Sequence, residues 1–474
     1  MREKKLTTSK EVTRRDYLKT VGVGVAGLVV GAAAGYLAKP TEVITGPGGV
    51  TTTVTETVTT GAPAAKKPEF INVLTEDFEP LSSFVASKFK QRYGVDVRLT
   101  VTEFTPCHEK EVADMVSGAA TSLYDVACWA DPFTRTFARR GYYEPLDDYI
   151  AKSEVIRLDN MQGPWMGPAK YQGKIWGLPF HCLDMQLTYR KDLLAKAGYD
   201  RPPATYQEIL EYAKKLHDPA AGVYGYTGDW YDDNFWYNFR RRIFAAGGRM
   251  FNPDGSPAFN SDAGERALQW FKDMWQAGVV FPETLRTYSG GVNNKVTAAG
   301  KAALSFCWSW ANMTFEDPKL SVIQGKYGFA LNPYDEDDPD KKKSCAAPVS
   351  EGVGGAITAK SQNKEWAFKF IEEYLTYESQ LYNVTNLGLT PVRRDVFSDP
   401  ETKKWPIFDL DRQQLDNYPT DSYPEPHSLS PVGVDFEIIR WNSEYFHKAI
   451  LGNISVKEAL STVEQLVIDA QKKA

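Results

Sequence analysis

The chain has 474 residues, with 55 Lys and Arg against 61 Asp and Glu, and a formal net charge of -6. That acidic balance argues against a binder of phosphate backbones, which carries a basic face, so no nucleic-acid partner is expected. Five cysteines, at 107, 128, 182, 307 and 345, are too sparse for a disulfide framework and never fall in a Cys-x-x-Cys metal spacing. From the N-terminus, Thr13 to Lys19 reads Thr-Arg-Arg-Asp-Tyr-Leu-Lys and precedes an uncharged, Gly- and Ala-rich stretch from Val21 to Ala38. This is the layout of a twin-arginine export signal, and eighteen apolar residues just suffice to cross a bilayer if they are never cut. Small residues at Ala32–Ala34 and Ala38 leave both cleavage and retention as an anchor open. The segment has no cysteine for lipid attachment. Gly22, Gly24 and Gly27 have dinucleotide-turn spacing, but no buried strand precedes them, so they imply no cofactor. Residues 39–67 are rich in Thr, Gly and Pro and too poor in apolar area to offset the cost of ordering; they read as a stalk.

Beyond the stalk, roughly 400 residues exceed what one hydrophobic core usually serves, so two lobes or domains are expected. Phe70 to Leu74 is a short apolar run, Leu81 to Tyr93 has helical spacing, and Val95, Val97, Leu99 and Val101 alternate strictly. Strand, amphipathic helix, strand implies a parallel pair with a helical crossover. Glu109 to Ser117 (helix), Tyr124 to Trp129 (strand) and Phe133 to Arg140 (helix) repeat the unit, giving an α/β architecture. Helices are expected at Tyr206–Leu216, Ala263–Ala277 and Trp366–Leu375, and strands at Ala302–Trp308 and Gly352–Ala359. The last helix is announced by a capping box, Ser455 with Glu458.

In open parallel sheets ligands sit beyond the carboxyl ends of strands. The first strand runs into Glu76 and Asp77, the later one from Trp129 into Asp131, and Ala302–Trp308 into Trp310. Sixty-one aromatic residues, 12 Trp, 25 Tyr and 24 Phe, are mostly core. Trp230 and Tyr231, however, stand among loop-forming polar residues, where they are candidates for a binding surface. Arg240-Arg241-Arg242 reads as a solvated helix face, and Asp335 to Asp340 as a solvated loop balanced by Lys341 to Lys343. Three Asn-x-Ser/Thr sites occur, at Asn312, Asn383 and Asn453.

Catalytic signatures are scarce. There is no His-Glu-x-x-His pair and no Gly-x-Ser-x-Gly elbow, and the acidic stretch lacks the Gly and Glu of a calcium loop. A glycoside hydrolase needs two carboxyl groups across a sugar bond, and Glu76, Asp77, Asp131, Asp184 and Glu351 are enough to supply them, so that alternative stays open.

Tyr171 to Gly198 contains Tyr-Gln-Gly-Lys-Ile-Trp-Gly-Leu-Pro-Phe, then Leu-Thr-Tyr-Arg-Lys-Asp-Leu-Leu, then Ala-Gly. With Ala245–Gly248, Gly300–Ala303, Gly352–Gly355 and Asn363–Ala367 in order, it resembles the family 1 extracellular solute-binding proteins of ABC importers, the maltose-binding-protein-like group. The resemblance implies two α/β lobes, 68–182 with 350–388 and 183–349 with 389–474, and hinge closure over a ligand between them. Crossings are implied near Phe180 to Asp184, Pro348 to Gly352 and Leu387 to Pro391. The resemblance implies Asp77, Trp129, Asp131, Asp184, Trp230, Tyr231, Trp236, Trp308 and Arg393 as ligand residues, and the strand ends and carboxylates add Glu76, Trp310 and Glu351. The implied partners are a small-molecule ligand, most readily a carbohydrate, and an ABC permease. A monomer with no catalytic turnover, no cofactor and no metal is expected, held at the cell surface by the N-terminal segment.

Overall fold

In the computed structural model of the chain, residues 66–76, 81–162, 166–231, 234–252, 254–286, 292–337, 350–405, 407–417 and 435–473 are described, with the backbone of strands at 39–45 and 51–56. The export-signal residues lie outside the described residues. The chain divides into two compact units, Met1–Lys66 and Lys67–Ala474. In the first unit β1 (Lys39–Thr45) pairs antiparallel with β2 (Thr51–Glu56), a pairing the stalk reading does not contain, although the Thr and Val in both segments favour strands.

In the second unit the alternating apolar residues form β3 (Phe70–Glu76) and β4 (Asp96–Thr102), parallel from Phe70 opposite Asp96 to Glu76 opposite Thr102. The crossover helix Leu81–Tyr93 buries Leu81, Val85 and Phe89. β5 (Val126–Ala130) joins β3 in parallel and is buried throughout. The helix expected from Glu109 starts earlier and spans Phe104–Val116. Its inner face is partly polar, which conceals it from an apolar periodicity. His108 Nδ1 shares a 2.5 Å hydrogen bond with Glu111, while the Tyr143 and Tyr142 hydroxyls donate to Glu111 (3.1 Å) and Asp114 (2.9 Å).

Further along lie the short hairpin β6 (Lys170–Tyr171) and β7 (Lys174–Ile175), then the long strand β8 (Leu178–Arg190). β9 (Tyr224–Thr227), β10 (Ala302–Trp308), β11 (Tyr327–Ala330) and β12 (Ser350–Ile357) complete the set. The sheet order is β4-β3-β5-β12-β8-β10-β9, with β11 also on β8. β8 changes partner along its length. Its residues 178–184 pair with β12, ending at Asp184 opposite Ser350; its residues 185–189 pair with β10, beginning at Met185 opposite Trp308. Between Asp184 and Met185 the residues of β8 thus pass from the β12 ladder to the β10 ladder.

All three implied crossings meet there. β12 enters beside β8 at Ser350–Gly352, and the Cys182 amide donates to the Thr390 carbonyl at 3.0 Å. His181 and Cys182, expected as packing residues, are buried. Burial pushes the His181 imidazole down to about 3, so it is neutral at physiological pH. A helix from Ile407 to Asn417 clasps this junction. Its Asp411 accepts from Gln186 of β8 at 2.8 Å and from the Thr390 hydroxyl at 2.9 Å.

Asp411 is fully buried, and burial pushes its carboxyl up to about 7 against the two hydrogen bonds. Because the folded value exceeds the unfolded one, the folded chain binds this proton more tightly. Its contribution to stability is complete below about pH 4, the unfolded carboxylate value, and is lost as pH rises through about 7. Asp411→Asn is expected to flatten the decline in melting temperature between about pH 4 and 7, followed by circular dichroism. A profile as steep as that of the unsubstituted chain would assign the decline to other groups.

Candidate ligand-binding site

The residues at the carboxyl ends of β5 and β10 are linked through one helix, which reaches both Asp131 and Trp308. That helix, Asn234–Ala245, reads Asn-Phe-Trp-Tyr-Asn-Phe-Arg-Arg-Arg-Ile-Phe-Ala. Three or four residues make one turn, so Trp236, Tyr237 and Arg240 share a face. Across it stands Asp131, the first residue after β5. Arg240 Nη1 lies 3.7 Å from Asp131 Oδ2, and each side chain is only 1% exposed. The Tyr237 phenol acts on the same carboxyl in the same direction as Arg240. Burial pushes Asp131 up to about 7, with Arg240 and then Tyr237 acting in the opposite direction. Tyr237 in turn packs edge-on against Trp308 at the end of β10, with centroids 5.5 Å apart and planes at 80°. Asp131, Tyr237, Arg240 and Trp308 are thus one buried constellation drawn from both lobes.

The solvated-face reading of the three arginines is corrected by the same helix. Arg240, Arg241 and Arg242 are buried, each with its own counterpart. Arg241 lies 3.6 Å over the Phe306 ring and donates to Asn238 at 2.8 Å; Arg242 pairs with Asp335 at 2.7 Å. Asp335 itself is buried and accepts from Gln207 at 2.9 Å, so the loop expected to be solvated starts inside the lobe; residues 338–349 lie outside the described residues. Three consecutive positions sweep most of a helix's circumference, which is incompatible with one solvated face in an otherwise aromatic helix.

The other expected residues are distributed unevenly. Trp129 is fully buried inside the first lobe, its indole N–H donating to the Thr134 hydroxyl at 2.7 Å. Its ring occupies space left by two glycines: a Cβ on Gly177 would lie 2.1 Å from it and one on Gly352 2.9 Å. The structure assigns Trp129 to packing. Trp230, read as a surface residue because of its polar neighbours, is also fully buried, edge-on to Phe271 at 4.9 Å and close to Tyr226 and Trp270. Gly228 and Asp229 before it follow the end of β9, while the indole itself is buried. Tyr231 is half-buried and stacks on His447 at 6.2 Å; Trp310 is half-buried where helix Ala311–Glu316 begins. Trp236 is fully buried on the face that carries Arg240.

Arg393 is committed within its own segment, forked onto Asp395 at 3.0 and 2.7 Å and donating to the Leu375 carbonyl at 2.9 Å. Glu76 is half-buried at the end of β3. Asp184 and Glu351 lie on the paired crossing strands, but their side chains, like the whole of Asp77, are outside the described residues. Nothing in the sequence singles out Tyr237 or Arg240 as a ligand residue. Among the described residues no group of three or more His, Cys, Asp and Glu could hold a metal ion, and no helix is long and apolar enough to cross a membrane.

With this geometry in view, the family model for bacterial extracellular solute-binding proteins matches residues 72–381. The chain belongs to that family. It is 24% identical over 285 residues to the maltotriose-binding protein of Pyrococcus abyssi, a match spanning 60% of this chain and 58% of that protein. Among solved structures, a solute-binding protein of Agrobacterium radiobacter in complex with ribitol superposes with a TM-score of 0.75 at 22% identity, covering 86% of this chain and all of the other. The maltose-bound MalE3 of T. maritima gives a TM-score of 0.73 at 22% identity, covering 85% of this chain and 99% of the other. At these identities the superpositions establish the two-lobed fold of the family.

Proposed function

We propose that the chain is a surface-tethered receptor that captures a sugar or polyol between its lobes, closes by bending at the Asp184–Met185 junction, and delivers the ligand to an ABC permease without turning it over. The observation that carries this reading is the buried interlobe constellation of Asp131, Tyr237, Arg240 and Trp308. A sugar hydroxyl both donates and accepts, so it suits a site offering a carboxyl group, a phenol and a guanidinium side by side, and an indole suits the ring's apolar face. The family membership and the relatives with maltotriose, maltose and ribitol support the same ligand class. Asp131 faces an arginine and a tyrosine, an arrangement that favours holding a ligand over hydrolysing it, since a glycoside hydrolase pairs two carboxyl groups across the bond. The uncharged segment at Val21–Ala38 and the Thr-rich stretch after it support a monomer tethered by its N-terminus, within reach of a membrane importer.

Titration calorimetry of the purified chain with maltotriose, maltose, ribitol and spermidine, with chromatography of the recovered ligands, tests this reading. Saturable binding of a sugar or polyol, recovered unchanged, is expected. Shortened oligosaccharide would establish a hydrolase, and binding of spermidine alone would reassign the carboxylates to a cationic ligand.

A further inference from the structure

The three Asn-x-Ser/Thr sites are not used by the ligand site, and the fold treats them very differently. Asn312 and Thr314 lie inside helix Ala311–Glu316; Asn312 is 1% exposed and its side-chain amide donates to the Ser309 carbonyl at 3.0 Å. Asn383 and Thr385 lie inside helix Tyr377–Leu387, where Asn383 is fully buried and the Thr385 hydroxyl donates to the Leu381 carbonyl at 2.9 Å. An oligosaccharide on either asparagine has no room in the folded chain, and a helical backbone holds the sequon in a shape a transferase cannot draw into an extended loop.

Asn453 is the opposite case. It sits in the turn joining helix His447–Ile450 to helix Val456–Lys473, where Asn453 and Ser455 are both exposed. The turn is held by its backbone, with the Asn453 amide donating to the Lys448 carbonyl at 2.8 Å, so the side chain is not needed to shape it. The Ser455 hydroxyl accepts from the Glu458 amide at 3.1 Å and keeps its own proton to donate. Beside it Leu451 is 51% exposed, an apolar surface that a neighbouring glycan would cover.

We propose that Asn453 is this chain's N-glycosylation site and that Asn312 and Asn383 stay unmodified. In the transfer the Asn453 Nδ2 attacks the anomeric carbon of a polyprenyl-phosphate-linked oligosaccharide. The N–C bond forms as the sugar–phosphate bond breaks, the amide proton passes to a base of the transferase, and the polyprenyl phosphate leaves. The exterior location of the family supplies the compartment. A chain exported already folded, as the paired arginines imply, presents only this acceptor.

The test is intact-mass measurement and peptide mapping of the full chain isolated from the cells that export it, with an Asn453→Gln variant alongside. The expected result is a sugar adduct on the Asn453 peptide, none on the Asn312 and Asn383 peptides, and loss of the whole adduct in the variant, with an unchanged circular dichroism spectrum. A bare Asn453 peptide, or a glycan on either helical site, would overturn the proposal.

Discussion

Arg240→Leu is expected to lower ligand affinity by roughly 10²- to 10⁴-fold, because breaking a buried ion pair by removing one partner costs about 3–5 kcal/mol. The cost falls on the closed form. Asp131 is 1% exposed and, among the described residues, forms its ion pair with Arg240 at 3.7 Å, so the pair is made only while the two segments stay together. Since closing over the ligand is part of binding, a penalty on the closed form appears in the measured affinity. Small-angle scattering of the ligand-free variant should also show a larger radius of gyration. Because burial already pushes Asp131 up to about 7, losing the guanidinium leaves it protonated at neutral pH, and the affinity loss should grow as pH rises above that value. Above neutral pH, where closure must otherwise protonate that carboxyl or bury its charge unpaired, Asp131→Asn in the Arg240→Leu background should recover part of the affinity, the signature of a coupled pair in a double-mutant cycle. If either single change leaves affinity within about threefold, below ~0.7 kcal/mol, the pair plays no part in closure.

The same pair shows which features of the protein are legible in its sequence. Where one element carries its own signal, expectation and structure coincide: Ala302–Trp308 is a strand and Tyr206–Leu216 a helix at the predicted bounds. Local alternation and periodicity suffice because every second or fourth residue faces one core. Asp131 is legible because the strand-end rule points at the residue after β5. Arg240 is not, because its meaning depends on a carboxylate supplied by the other lobe, and a run of three arginines viewed without that partner reads as solvent-facing. β8 is illegible as one strand for a related reason. Its Gln186 and Thr188 are polar yet fully buried, one held by Asp411 from a distant helix, so no alternation marks them as interior. Trp129 and Trp230 reverse the case: polar or strand-end neighbours suggest a surface, whereas the glycines and aromatic rings that enclose them come from elsewhere in the chain.

Gly354→Ala is expected to be the most destabilising single methyl addition at the crossing, costing about 3 kcal/mol or more, at the upper end for overpacking. A Cβ at this position would lie 1.9 Å from the Leu178 carbonyl oxygen and 2.7 Å from the Pro179 Cα, both main-chain atoms that no rotamer change can withdraw. Relief requires β12 to move away from β8. β12 is hydrogen-bonded on both edges, to β5 through Val353–Ile357 and to β8 through Ser350–Gly355, and the register already shifts between Val353 and Gly354. A displacement there loosens two ladders, one of them the β8–β12 pairing on which the proposed hinge is built. Thermal unfolding followed by circular dichroism should therefore show a lowered midpoint, and any soluble variant should bind ligand more weakly. Gly355→Ala is the control. Its added methyl group meets the Phe180 Cζ at 2.6 Å and other side-chain atoms, which can shift at a smaller cost. Equal losses for the two substitutions would mean that the Leu178 carbonyl yields as readily as a side chain, and that close backbone approach is not why glycine stands at 354.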